Sequence, residues 1–160
     1  MDRLLLTLGT IAFCAVGYLL MARGWRSRLA RQRDLPAPPV SDGTSRVLVD
    51  WTPGLYVGTT AAGDWLDRIA VHQLSDRATG EICLADDGVH VLRDGLPEVF
   101  VPRSEVTGAS IEQSLAGKIV STGMLVLTWR LGSRELATAF RADDPATHAR
   151  LRDALLEAAV

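Results

Sequence analysis

The chain has 160 residues, of which 48% are hydrophobic, and it carries 17 basic and 19 acidic side chains. This length holds one ordinary domain beside a short additional segment. The part from Asp34 onward has 11 basic and 18 acidic residues, and an acidic balance of this kind excludes nucleic acid as a partner. Two cysteines, Cys14 and Cys83, are too few for a disulfide framework.

An uncharged apolar run from Leu4 to Ala22 opens the chain. A helix of about 20 such residues matches the roughly 30 Å hydrocarbon core of a bilayer. Only Arg3 precedes the run, whereas five arginines follow it by residue 33. Because arginine accumulates on the cytoplasmic side, residues 1–33 are predicted to be a transmembrane anchor with a basic juxtamembrane segment. The protein is expected to be a single-pass plasma membrane protein with its N-terminus outside and the rest in the cytoplasm.

Four residues just after the run are predicted to lie at the membrane interface: Arg23, Trp25, Arg26 and Arg28. Tryptophan favours the headgroup region, and each arginine adds about 1 kcal/mol of attraction to the anionic inner leaflet. A cleaved signal peptide is the alternative interpretation of this segment. Secretory signals carry their charge in front of the apolar run, so the arginines behind it favour the uncleaved anchor.

A proline-rich linker is predicted over residues 34–46. Pro36, Pro38 and Pro39 end any helix that continues from the anchor, because proline lacks the amide donor and biases the preceding residue to extended conformations. The remaining residues, 47–160, are predicted to form one domain.

From Val47 to Phe140 the pattern predicts β-structure. Three turn sequences, Asp86-Asp87-Gly88, Asp94-Gly95 and Gly132-Ser133, separate alternating or apolar runs. The predicted strands and apolar runs are Leu55–Thr60, Ile69–Leu74, Thr79–Ala85, Val89–Arg93, Glu98–Pro102, Val106–Gln113, Met124–Leu131 and Glu135–Phe140.

A helix is predicted at the C-terminal end of the chain. Asp143-Asp144-Pro145 supplies a capping aspartate and a proline for the first helical position. Leu151, Leu155 and Ala158 then recur at helical spacing. The predicted fold class is mainly β: an N-terminal transmembrane helix, then an antiparallel β-barrel or sandwich capped by a C-terminal α-helix.

Three stretches, residues 54–74, 84–92 and 123–145, are similar to a known family. The chain resembles actinobacterial single-pass membrane proteins with a PH-like domain, some of which are labelled transporter or export proteins. The resemblance implies a PH-like fold and this topology. It implies no catalytic residues and no cofactor.

The loop between the first two strands is predicted to span Thr60–Asp67. Phosphoinositide-binding PH domains bind phosphates with basic residues in this loop, whereas the loop of this chain has two aspartates and no basic residue. Carboxylates repel a polyphosphate headgroup, so phosphoinositide binding is not expected.

The same region holds the candidate partner-binding residues Asp64, Trp65, Asp67 and Arg68. An exposed Trp65 with a charged rim is typical of an interaction anchor. The alternative is that Trp65 and Leu66 fold onto the end of the barrel while Arg68 pairs with an aspartate.

No catalytic or metal-binding pattern is found. His72, His90 and His148 have no ligand-spaced partners, and we expect the two in strands on the surface and His148 near a helix start. The aspartates of the 86–87 and 143–144 pairs are explained by a turn and a cap, and Trp129 is expected in the core.

These observations predict a non-catalytic, membrane-tethered scaffold or adaptor that binds a cytoplasmic protein partner at the inner membrane face. The alternative is an accessory subunit of a membrane transporter or export complex. Transport by this chain alone is excluded because one helix cannot surround a polar path.

Overall fold

The structure, a computed structural model, describes residues 2–115 and 118–158. Within those ranges it leaves out the side chains of Asp2, Arg28, residues 113–122 and Ala158. The chain divides after Asp34 into two compact units. The predicted interface residue Arg28 and the helix residue Ala158 therefore have side chains outside the description.

The first unit contains helix α1, Asp2–Arg31. At 1.5 Å per residue its 30 residues extend about 45 Å, and the helix is long and apolar enough to cross a membrane. Its two threonine hydroxyls bond within the helix: Thr7 Oγ1 donates to Arg3 O and Thr10 Oγ1 donates to Leu6 O. Both polar groups are thus satisfied without water.

The second unit is an antiparallel sheet followed by a helix, in agreement with the predicted fold class. The described elements are β1 Val47–Ala61, β2 Asp64–Arg68, β3 Ala78–Ala85, β4 Gly88–Arg93, β5 Leu96–Pro102, β6 Val106–Leu115, β7 Lys118–Leu131, β8 Arg134–Ala142 and α2 Ala146–Ala158. The strands are ordered β5-β4-β3-β1-β8-β7-β6, and β2 pairs with β1 beside this path. Among the described residues β5 and β6 do not pair, so the sheet is an open sandwich.

Strand β1 lies at the centre and pairs along one part with β3 and along the other with β8. Both pairings include Gly54, where a side chain would overlap the carbonyl of Arg141. Gly80 of β3 is equally constrained, because a side chain there would overlap the Leu92 carbonyl. Glycine at these positions lets neighbouring strands approach closely.

Helix α2 begins at Ala146, one residue after the proline predicted for its first position. Asp144 Oδ1 accepts a hydrogen bond from Ala146 N at 3.0 Å, and Pro145 precedes the helix. Leu151 and Leu155 are buried in the main core beside Tyr56 and Phe140. The prediction that this helix covers the core of the sheet is confirmed.

A continuous chain of hydrogen bonds runs through this core. Trp129 Nε1 donates to Thr138 Oγ1 at 2.9 Å, Thr138 meets Thr59 at 2.7 Å, and Thr59 meets the Tyr56 hydroxyl at 2.7 Å. Tyr56 in turn donates to the carbonyl of Leu74 at 2.8 Å. The indole N–H at one end can only donate and the carbonyl at the other end can only accept. Every hydroxyl between them therefore donates toward Leu74, and each polar group is satisfied. Trp129 is fully buried, which confirms its predicted place in the core.

Two predicted elements differ from the structure. The run Ile69–Leu74 is not a strand: it contains a short 3₁₀ turn at Val71–Gln73, and β2 instead occupies Asp64–Arg68, which was predicted as turn. The two-residue turn Ala62-Gly63, with Gly63 at φ +79°, is enough to reverse the chain. His72 and Gln73 both have left-handed φ values, which interrupts any extended run.

The segment predicted as a linker packs against the sheet from Leu35 onward. Leu35 is buried in the core, and its carbonyl lies 2.9 Å from His72 Nε2. Further along, Ser41 Oγ donates to Asp87 Oδ2 at 3.0 Å, and Arg46 N donates to Asp86 Oδ1 at 3.0 Å. These contacts make residues 35–46 part of the second unit.

Candidate functional site

The predicted partner-binding residues lie on β2, where the backbone bulges away from β1. Ala61 pairs with Asp64, yet the next β1 residue, Thr60, pairs with Arg68. Residues 65–67 therefore have no partner in β1. We call this feature, Asp64–Arg68, the β2 bulge.

The apolar side chains of the β2 bulge are exposed. Trp65 is 46% exposed and Leu66 is 62% exposed, so both present apolar surface to solvent. The physical reason is the bulge itself, which carries these residues away from the sheet. Asp64 Oδ1 accepts a hydrogen bond from Leu66 N at 3.0 Å and fixes the bend between the two residues.

The other two predicted residues are half-buried at the base of the bulge. Arg68 Nη2 donates to the Val57 carbonyl at 2.9 Å, and the guanidinium lies against Gly58. Arg68 thus ties the bulge to β1 rather than presenting its charge at the rim. Of the four predicted residues, Asp64 and Trp65 are exposed, whereas Asp67 and Arg68 are half-buried.

A second cluster, which we call the His90 cluster, was not predicted. His90 Nε2 lies 3.0 Å from Asp87 Oδ1, and His90 Nδ1 lies 2.7 Å from Glu98 Oε1. The ring is 6% exposed and lies between Phe100, at 4.7 Å between centroids, and Trp51, at 6.3 Å. His90 is therefore not the surface histidine that the sequence suggested.

Part of the His90 cluster has a signal in the local sequence that the prediction missed. Asp87 and His90 are three residues apart across the β3–β4 turn, a spacing visible in the sequence. Glu98 joins them from β5, which pairs with β4, and that register is not readable from one sequence. The explanation of Asp87 as a turn residue was incomplete, because its carboxylate also holds His90 and Ser41.

The electrostatics of the His90 cluster follow from these contacts. Burial alone would lower the pKa of His90, but the hydrogen bonds with Asp87 and Glu98 outweigh it and raise the pKa. Burial likewise raises the pKa of Asp87, yet hydrogen bonds with His90, Ser45 and Ser41 outweigh it and lower the pKa to about 2. The cluster therefore favours a cation held between two carboxylates.

This arrangement does not provide a general base. Both ring nitrogens of His90 already face carboxylate oxygens, and the Ser41 hydroxyl donates to Asp87 rather than to the ring. A nucleophilic triad needs the opposite order, with the hydroxyl donating to a free imidazole nitrogen. The cluster is thus suited to holding charge in place.

His148 lies in the first turn of α2, near the helix start as expected, and it is buried. It is 1% exposed, and its Nε2 accepts a hydrogen bond from Ala142 N at 2.9 Å. An accepting nitrogen requires a neutral ring. Burial lowers the pKa of His148, and Arg141 lowers it further against the opposing effect of Asp144.

Among the described residues, no group of three His, Cys, Asp or Glu side chains is arranged to hold a metal ion. Cys83 is buried, and burial raises the pKa of its thiol to about 11. It serves as an apolar core residue beside the His90 cluster.

The predicted interface residues with described side chains, Arg23, Trp25 and Arg26, are exposed on α1. Trp25 is 51% exposed. Their role at a membrane remains a prediction.

An open antiparallel sheet with a C-terminal helix against its core defines the second unit as a PH-like domain. Residues 32–156 match the family described as "Bacterial PH domain-like", and the chain belongs to that family. PH-like domains are typically non-enzymatic. Comparison with curated proteins found no match.

Proposed function

We propose that this protein is a non-catalytic adaptor that α1 tethers to the plasma membrane and that binds a cytoplasmic protein through the β2 bulge. The observation that carries the proposal is the pair Trp65 and Leu66, which are 46% and 62% exposed side by side on a supported bulge. Tryptophan in such a position is typical of the anchors that dominate protein interfaces.

The rest of the bulge supports the same function. The Asp64 bond to Leu66 N and the Arg68 bond to Val57 O hold the backbone before a partner arrives. A preformed surface loses less conformational freedom on binding. The exposed carboxylate of Asp64 supplies a polar, acidic rim that suits a partner with basic groups near its apolar pocket.

The α1 tether supports an adaptor role because it raises the effective concentration of the domain at the membrane, without changing the affinity of the domain for its partner. A helix long enough to span a bilayer confines the domain to a thin layer at the membrane. A partner that meets the domain there experiences a raised effective concentration, so moderate affinity suffices.

The test is site-specific photo-crosslinking in native membranes, with the probe at Leu66. The matched control places the same probe at Leu156, an apolar residue of α2 that is 44% exposed. We expect a protein adduct from Leu66 that is absent from Leu156. Trp65→Ala should weaken that adduct by about 30-fold, because truncating a central anchor costs about 2 kcal/mol or more.

Three outcomes would contradict the proposal. Equal adducts from both positions would show that the contact is not specific to the β2 bulge. Adducts with lipid alone would place the bulge at the bilayer surface. A multi-helix permease as the crosslinked protein would instead favour an accessory subunit of a transporter or export complex.

A further inference from the structure

The geometry of the His90 cluster depends on a proton. Each ring nitrogen faces a carboxylate oxygen, Nε2 at 3.0 Å from Asp87 and Nδ1 at 2.7 Å from Glu98. A neutral imidazole has one N–H, so only the imidazolium can donate to both oxygens. When the proton leaves, one nitrogen presents a lone pair to a carboxylate.

The two carboxylates are not equally free to respond. Asp87 is held from the segment before β1 by Ser41, at 3.0 Å, and by Ser45. The Glu98 side chain is 32% exposed at the end of a flexible stem, so rotation brings its carboxylate into water. The neutral ring keeps its N–H toward Asp87, because moving Glu98 disturbs fewer contacts.

We propose that the His90 cluster is a pH-sensitive switch in which loss of the His90 proton releases the Glu98 carboxylate into solvent while Asp87 stays bound. The net charge of the three side chains then changes from −1 to −2. This change occurs on the outer face of the sheet beside Trp51, which is 40% exposed. The switch is independent of the β2 bulge and of the proposed partner.

Among the groups around the His90 ring, Asp87 and Glu98 carry the charges that govern its protonation. Cys83, which pairs with His90 from β3, is uncharged at neutral pH because burial raises its pKa to about 11. Phe100 from β5 and Trp51 from β1 are apolar. Asp50 from β1 raises the pKa of Cys83, as Asp87 and Glu98 also do.

The direction of the pH effect follows from linkage. The closed arrangement binds the proton more tightly than the released one, so raising the pH favours release. The ratio of released to closed forms rises by up to about tenfold per pH unit once the pH exceeds the His90 pKa of the released form. The rise ends at the pKa of the closed form, which lies higher.

The first measurement uses the full chain in detergent micelles between about pH 5 and about pH 9. The Trp51 signal is the fluorescence of the wild type minus that of Trp51→Phe. Protonated imidazole quenches indole emission, so we expect the signal to rise with a midpoint above 6.5, the ordinary histidine value. Carboxyl ¹³C NMR should show a larger shift for Glu98 than for Asp87 through the same midpoint.

The second measurement compares Glu98→Gln with Glu81→Gln. The amide introduced by Glu98→Gln can donate to the neutral ring, and the substitution removes one of the two carboxylates that stabilise the cation. The midpoint should therefore fall by about 1–3 pH units in this variant. Glu81, an exposed carboxylate on the neighbouring strand β3, serves as the matched control, and its variant should stay near the wild type.

Four results would overturn the switch. These are a pH-independent Trp51 signal, an unchanged midpoint in Glu98→Gln, equal shifts in both Gln variants, and a larger ¹³C change at Asp87 than at Glu98. The NMR result uses the wild type alone, so it holds even where a variant fails to fold.

Discussion

At the residue scale, the pKa values of two buried histidines in one domain are shifted in opposite directions. Both ring nitrogens of His90 face carboxylate oxygens, which favours the cation, whereas His148 accepts from Ala142 N, which favours the neutral ring. The exposed fraction of the two side chains does not explain this difference, since both histidines are buried. The difference comes from the hydrogen-bonding partner that each ring meets.

His148→Ala should destabilise the domain. The substitution leaves the buried Ala142 N–H without a partner and creates a cavity, and we expect it to cost about 2 kcal/mol or more. The melting temperature of the full chain in micelles, followed by near-ultraviolet circular dichroism, should fall by about 6 °C or more. Asp153→Ala, on the exposed side of α2, is the control and should change it little.

The pH dependence at His148 has a definite sign. Its folded pKa lies below the ordinary value of about 6.5. Its contribution is therefore present above that pH and lost as the pH falls below it. In His148→Gln the amide oxygen still accepts from Ala142 but does not titrate, so this part of the acid sensitivity should disappear from the melts. The same acid sensitivity in both proteins would contradict a neutral His148.

At the element scale, helix α2 completes the core. Leu151 and Leu155 are 1% and 3% exposed, whereas Leu156 of the same helix is 44% exposed. Each buried Leu→Ala typically costs 2–5 kcal/mol, a large part of a stability of about 5–15 kcal/mol. The double variant Leu151→Ala with Leu155→Ala should therefore lose most of its β-sheet signal at room temperature.

Leu156→Ala provides the matched control for this pair, because it removes the same atoms from an exposed position. It should melt close to the wild type. If the double variant also melts within a degree or two of the wild type, α2 does not stabilise the sheet, and its apolar face becomes the better candidate for the partner site.

The elements that were predicted correctly are those with local signals. The turns at Asp86-Asp87 and Asp94-Gly95, the β7–β8 hairpin and the Asp144 cap all depend on neighbouring residues. The misassigned run Ile69–Leu74 has strand-like composition, but it bends because Tyr56 and Thr59 bond to the Leu74 carbonyl across the core. Likewise, the approach of Glu98 to His90 depends on a register between strands, which no local pattern reveals.

At the scale of the whole molecule, the charge is divided along the chain. The first 33 residues carry six basic residues and one acidic residue, and the rest carries 11 basic and 18 acidic residues. The arginines after the apolar run predict a cytoplasmic C-terminus. A reporter that is active only in the cytoplasm should therefore work when fused after the last residue.

The control for this topology is a second reporter that is active only outside the cytoplasm, fused at the same place. It should be silent. Activity of the outer reporter, or recovery of a soluble product cleaved after Ala22, would show that α1 is not an inward-facing anchor.

The hydrogen-bond chain from Trp129 to Leu74 has a consequence for which fold the sequence selects. A one-residue slip between β1 and β8 would turn Thr59 and Tyr56 to the opposite face and leave Trp129 and Thr138 with mismatched polar groups in an apolar interior. Each unmatched group costs about 1–3 kcal/mol, so the slipped pairing loses several kcal/mol even where its apolar contacts are as good. The four side chains thus discriminate against wrong strand alignments. They give β1 and β8, two neighbouring strands rich in small and β-branched residues, a single alignment.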